Sequence, residues 1–201
     1  MASNSLASLK TSASEKLAKY TSTSLAYAFN TYDHRGDIDA PLAPSDVLMA
    51  NLLSLQLSGR DVIPLFSEGD GPAQRLRHAL DNALVNLQKA RSFESYETLD
   101  ELEQSLESLA QANTAAIPVK WWTAVTVSKV LHRRRPHIVP LIDSRVRDFY
   151  GARRPAHIRR ALWEDIRENL EWLTNLAATQ NTPDGHRLSV LRLADILIWT
   201  P

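Results

Sequence analysis

Between Ile117 and Arg160 the chain carries 11 of its 23 Lys and Arg residues against two acids, Asp143 and Asp148. Within that interval a short apolar approach, Ile138 to Ile142, ends on Asp143, and Asp143-Ser144 opens the helical pattern SRVRDFY. A carboxylate so placed serves in one of two ways. As an N-cap it accepts backbone N–H groups and gains from the helix dipole, worth about 1 kcal/mol. As a reactive group among arginines it suits electrostatic stabilisation better than proton donation.

Around it lie the residues that would hold a ligand. Arg133, Arg134 and Arg135 in HRRRPH, with Arg145, Arg147, Arg153, Arg154, Arg159 and Arg160, form either a phosphate-binding stripe or a face neutralised by the six acids between Glu94 and Glu107. The planar guanidinium fork equally suits the carboxylate or phosphate of a small metabolite. Trp121 and Trp122 have the ring area to stack a base or line a pocket. Only one of two adjacent helical residues faces inward, so the exposed member is the functional candidate and the other is core. Tyr32, with Asp33 and His34, offers further polar groups in a loop, where such clusters also satisfy turn backbone.

Other chemistries are excluded or unsupported. The chain has no cysteine, so disulfides, thiolate nucleophiles and cysteine-bound zinc are ruled out, which fits a reducing compartment. The six histidines, His34, His78, His132, His137, His157 and His186, form no pair at metal-ligand spacing, and the RRRP run between His132 and His137 repels a cation. No metal and no cofactor is expected. GxGxxG, GxxxxGK[ST] and GxSxG are absent. Lys+Arg and Asp+Glu balance at 23 each, so bulk charge makes no case for a polyanion. No apolar run nears the roughly 20 residues that span a bilayer, and a cytoplasmic location without membrane association is expected.

The elements that position these residues read as helices. Residues 1–14 are expected to be a flexible N-terminus and 15–201 a single helical domain, either undivided or in two lobes with a break at the Gly- and Pro-containing SEGDGP, residues 67–72. A helix is expected over Glu15 to Phe29. Another should be capped by Ser45 before Asp46, with Val47, Leu48, Leu52 and Leu55 facing the core. Leu76, Leu80, Leu84 and Leu87 mark a long helix. An acidic solvated helix carries Leu99, Leu102, Leu106 and Leu109 on its inner side. Ile158, Leu162, Ile166, Leu170 and Leu173 mark another, and RLSVLRLADILIWT closes the chain after a turn at Thr182 to Gly185. TAVTVSKV alternates as well as it spirals, so its periodicity fits strand or helix.

IPVKWWTAVTVSKVLHRRRPHIVPLIDSRV resembles the core of helix-hairpin-helix DNA glycosylases, with Ile117-Pro118 matching the hairpin entrance and Asp143 the catalytic aspartate. SKVLHRRRPHIVPLIDSRV is more similar still to an uncharacterised bacterial family with the pattern SKLL-x-RKRP-x-L-x-P-x-x-D-S-x-V, and APSDVLMANLLSL and LSVLRLADILIW also look like that family. The resemblance implies an all-α, glycosylase-like fold in which Asp143 stabilises the oxocarbenium ion of a breaking N-glycosidic bond. It also makes Lys129 and Lys120 candidate amines for a Schiff-base lyase, although Thr123 lies nearer the matching position than either. The hairpin departs from the pattern. Glycosylase hairpins use glycine to bring bare backbone N–H groups to a DNA phosphate, and this chain has no glycine between Pro72 and Tyr150.

The reading is therefore an all-α protein with a helix-hairpin-helix glycosylase-like core and a degenerate, glycine-free hairpin. Three functions follow. The first is recognition of nucleic acid or a nucleoside with N-glycosidic cleavage. The second is binding or conversion of a small acidic metabolite by Trp121 or Trp122 with Asp143 and Arg145. The third is a non-catalytic scaffold in which an Arg–Asp network fastens the fold.

Overall fold

The structure, a computed structural model, describes residues 4–25 and 27–201. Its regular elements are α-helices joined by 3₁₀ turns: α1 Ala13–Thr21, α2 Phe29–Tyr32, α3 Pro44–Met49, α4 Gly59–Phe66, α5 Pro72–Gln88, α6 Leu99–Ser105, α7 Glu107–Ala116, α8 Ala124–Arg134, α9 Ser144–Tyr150, α10 Pro155–Glu168, α11 Leu170–Ala177 and α12 Val190–Trp199. Among the described residues the only strand-like pairing is a single bridge between Asn181 and Arg187. No described helix is long and apolar enough to cross a membrane.

Two helices organise the core. Eight of the ten residues of α12 are buried, and α1, α9, α10 and α11 pack around it. α8 packs on α3, α5 and α7, and here the ambiguity of TAVTVSKV resolves as helix because the Thr123 hydroxyl accepts the Thr126 N–H at 3.2 Å as an N-cap. Leu76, Leu80, Leu84 and Leu87 are buried along α5, as their spacing predicts. The apolar core runs continuously from Leu6 to Leu197, and α4 packs directly on α5 across the 67–72 turn.

Several expectations are corrected. The N-terminal segment is docked rather than loose from Ser5 onward: a 3₁₀ turn, Leu6–Ser12, buries Leu6, whose N–H donates to Asp165 at 2.8 Å. Met1 to Ser3 lie outside the described residues. The helix expected over Glu15 to Phe29 ends at Thr21, where Thr21 donates to the Leu17 carbonyl and Ser22 turns extended. Such side-chain bonds compete with the helical ladder.

At α3 the cap position is Ala43, and Asp46 is the third helical residue, reaching back to the Ala43 N–H at 2.9 Å. Leu48 and Leu52 are exposed, since α3 tightens into a 3₁₀ turn, Ala50–Leu53, that ends on left-handed Ser54 and shifts the helical phase. The acidic segment is likewise broken, at Leu106. The helix expected through Leu173 divides at Asn169, whose amide bonds back to Asp165.

Candidate functional site

Two buried charge networks hang from α8. The first lies at its C-terminal end. Arg133 and Arg134 both pair with Asp46, and they also donate to the carbonyls of His34 and Ala40. Arg135 donates to Leu84 O at 2.9 Å and Ile38 O at 3.0 Å. All three arginines are buried, so they tie the 34–43 loop to α8 and α5 by charge-assisted bonds. This corrects their reading as surface phosphate ligands. The loop's carbonyls need donors, and the run supplies them from within.

The second network lies one turn back along α8, at Lys129, and centres on Asp143. Side chains of an extended segment alternate between its two sides, and the approach 138–142 presents Leu141 and Asp143 to one cavity and Pro140 and Ile142 to another. One carboxylate oxygen of Asp143 accepts the N–H groups of Arg145 at 3.1 Å and Val146 at 3.3 Å, capping α9. The other lies 3.5 Å from the Lys129 ammonium, which donates to Leu53 O at 2.6 Å. Asp143 is thus both a cap and the partner of a buried cation.

Across the same cavity stands Asp195, paired with Arg192. The fully buried Arg192 grips Asp33 with two bonds, 2.8 and 2.7 Å, and donates to the Tyr20 hydroxyl at 3.1 Å. Tyr20, Leu53, Leu141 and Trp199 complete the cavity wall, and the space is about 10 Å³. That suffices for roughly one water. In this network three carboxylates, Asp33, Asp143 and Asp195, face two cations, Lys129 and Arg192. Burial pushes the Asp195 carboxyl up to about 6, against the opposing pull of Arg192, and Asp143 adds a smaller push in the same direction.

The remaining candidates separate. Tyr32 is sealed in the core with its hydroxyl on the Lys129 carbonyl at 2.6 Å. Trp122 is also buried, its indole N–H on Asp61 O at 3.2 Å. Neither can meet a ligand where it stands, which corrects both. Trp121 is the exposed member of the pair at 65%, but it borders a different and larger cavity of about 710 Å³, with Gln56, Arg60 and Lys120. Its φ of +68° is one that bulky residues rarely adopt. Arg145 is exposed and stacks at 5.0 Å over Trp199, against the wall of the Asp143 cavity. Arg147 is half-buried beside the second cavity, while Arg153 and Arg154 are exposed between α9 and α10.

Sequence reasoning missed Arg192 and Asp195. Their signal was a charged pair at i, i+3 inside the otherwise apolar run of the closing helix, where a charge persists only when partnered. His132 is no acid–base candidate: burial holds it down to about 3, and one ring nitrogen bonds to Val139 O at 2.6 Å. Among the described residues no cluster of His, Asp or Glu could hold a metal ion.

Neither a curated protein nor a solved structure matches the chain. A family model does, over residues 13–201: the DUF6308 family, described as a family of unknown function. The match takes in α1 through α12 and both networks, and the chain therefore belongs to the DUF6308 family.

Proposed function

We propose that the Asp143 cavity cleaves the N-glycosidic bond of a nucleoside or nucleotide, on a scaffold of the helix-hairpin-helix glycosylase kind. The observation that carries this reading is the uncompensated carboxylate around the cavity. A site with one more carboxylate than cations, the surplus acid being the part-buried Asp143, favours any species that becomes positive within it. As the C–N bond breaks, its electron pair leaves on the base and the sugar becomes an oxocarbenium ion, whose charge Asp143 and Asp195 offset. Water then adds to the cation and gives its proton to Asp195, whose raised affinity for protons suits a base working near neutral pH. Lys129, engaged with Leu53 O and Asp143, acts as the ion-pair partner that orients Asp143 and not as a nucleophile.

The water-sized cavity has room for the nucleophile alone, so a sugar would need the Leu53 and Trp199 side chains to swing aside while Leu53 O stays on Lys129. A small substrate is favoured over duplex DNA, because Arg133, Arg134 and Arg135 are spent inside the fold and the turn between α7 and α8 has no glycine. The left-handed Trp121 in that turn supports a degenerate hairpin. The scaffolding alternative draws on the Asp143 cap of α9 and the Lys129 bond to Leu53 O.

The test is release of free base from nucleosides, nucleoside monophosphates and single- and double-stranded oligonucleotides, followed by chromatography. Wild-type protein should release base from the small substrates, and Asp143→Asn, still folded by circular dichroism, should lose about 100-fold or more. No release from any substrate, or an equal rate in Asp143→Asn, leaves the scaffold reading in its place.

A further inference from the structure

The second cavity, on the opposite side of the 138–142 segment, has a different chemistry. It lies where α7, α8, α9 and α10 converge and measures about 40 Å³, room for roughly three waters. Its charged lining is Arg147 of α9 and Arg159 of α10. Arg159 is neutralised by Glu103, with bonds of 2.8 and 2.7 Å. Arg147 takes part in none of the ion pairs among the described residues. Its Nε–H is sealed from solvent and meets no acceptor, and on the facing helix the Asn113 side-chain oxygen is sealed and meets no donor. Two residues from different helices, each with a polar atom that meets no partner, line one space.

A buried guanidinium N–H without an acceptor is costly, more so than a neutral one. An anion in the cavity removes that cost. Leu109, Pro140, Ile142 and Pro155 make the rest of the wall largely aliphatic, which a tetrahedral, fully hydrated phosphate would not match. We propose that this cavity binds a short aliphatic carboxylate, its oxygens taking the Arg147 fork and its carbon chain lying against the aliphatic wall. The Asn113 amide, turned half a revolution about its last torsion, puts its NH2 where the stranded oxygen stands and donates to the second carboxylate oxygen. This site is independent of the nucleoside reading, since none of its residues borders the Asp143 cavity.

The probes are acetate and propionate, titrated into the full-length protein at constant ionic strength while the Arg147 Nε–H resonance is followed by NMR. The expected result is a saturating shift at millimolar carboxylate. Arg147→Gln and Asn113→Leu, read on neighbouring backbone amides, should each weaken binding about tenfold or more. Asp143→Asn should leave it unchanged, which separates this site from the catalytic proposal. If Arg147→Gln fails to fold, Asn113→Leu decides alone. A shift that never saturates, equal binding by the variants, or a response to inorganic phosphate without one to acetate overturns the assignment.

Discussion

The two networks on α8 are built from the same residue types and behave oppositely. At the helix end Arg133 and Arg134 share one carboxylate, and the carbonyls of Ile38, Ala40, His34 and Leu84 take most of the remaining donors of the three arginines, the Nε–H groups of Arg133 and Arg134 alone meeting no acceptor. Nothing there borders a cavity lined by Asp143. Nearer the middle of the helix Lys129, together with Arg192 of α12, meets three carboxylates, and two of those acids face a shared space. The difference teaches how to divide structure from chemistry in a buried charge cluster. Cations whose donors are absorbed by carbonyls fasten a loop, whereas anions left in excess around a cavity hold a standing preference for positive charge.

Neutralising one acid in each network should have opposite effects on stability. Asp46→Ala strands two buried guanidinium groups at once and should cost about 3–5 kcal/mol of stability, measured by urea unfolding. Asp195→Asn should do the reverse, gaining roughly 1–3 kcal/mol at pH 7, because the ionised acid is held there at a cost. A loss as large as that of Asp46→Ala would erase the distinction.

The pH dependence gives the sign independently. The folded state binds the Asp195 proton up to about pH 6, whereas an unfolded aspartate releases it near 3.8, so this group's contribution to stability falls as pH rises through that window. Buried His132, held down to about 3 against an ordinary 6.5, has the opposite slope: its contribution is present above 6.5 and lost as pH falls. The Asp195 effect is therefore read as the difference between wild type and Asp195→Asn, a gap that should open between pH 4 and 6 and stay constant above. Base release should rise through pH 6 in parallel.

Smaller effects complete the series. Asp143→Asn keeps a good N-cap but removes the charge that pairs with buried Lys129, and should cost about 1–3 kcal/mol in urea unfolding, less than Asp46→Ala, while lowering the proposed base release about 100-fold or more. Trp121→Gly relieves a left-handed φ at an exposed site and should gain a few tenths to about 1 kcal/mol in thermal unfolding, without affecting either network.

Much of the architecture was legible because the apolar period of α5, α10 and α12 survives in the sequence, whereas the period of α8 fitted strand as well as helix and its Thr123 cap decides it. The breaks at Thr21, Leu106 and Asn169 were not, since local side-chain bonds and 3₁₀ turns interrupt a helix without disturbing its hydrophobic spacing. Asp143 was found from its own setting, a carboxylate ending an extended apolar approach and opening a helix. The arginine run misled because a block of like charge reads as a solvated face, and its acceptors, Asp46 and the 34–40 carbonyls, lie some ninety residues away in the chain. Arg192 and Asp195 stayed hidden for the same reason: Asp33, the partner that lets Arg192 be buried, is 159 residues distant.

On the proposed reading, the Asp143 cavity prefers positive charge at the place of a glycosyl carbon. Calorimetric binding of a protonated pyrrolidine nucleoside mimic, set against its uncharged carbocyclic counterpart, tests this without knowledge of the substrate. The cation should bind about 100-fold tighter or more, as oxocarbenium mimics do at such sites, and Asp143→Asn should remove the preference. Equal affinities for the two mimics, or a preference that survives Asp143→Asn, would contradict it.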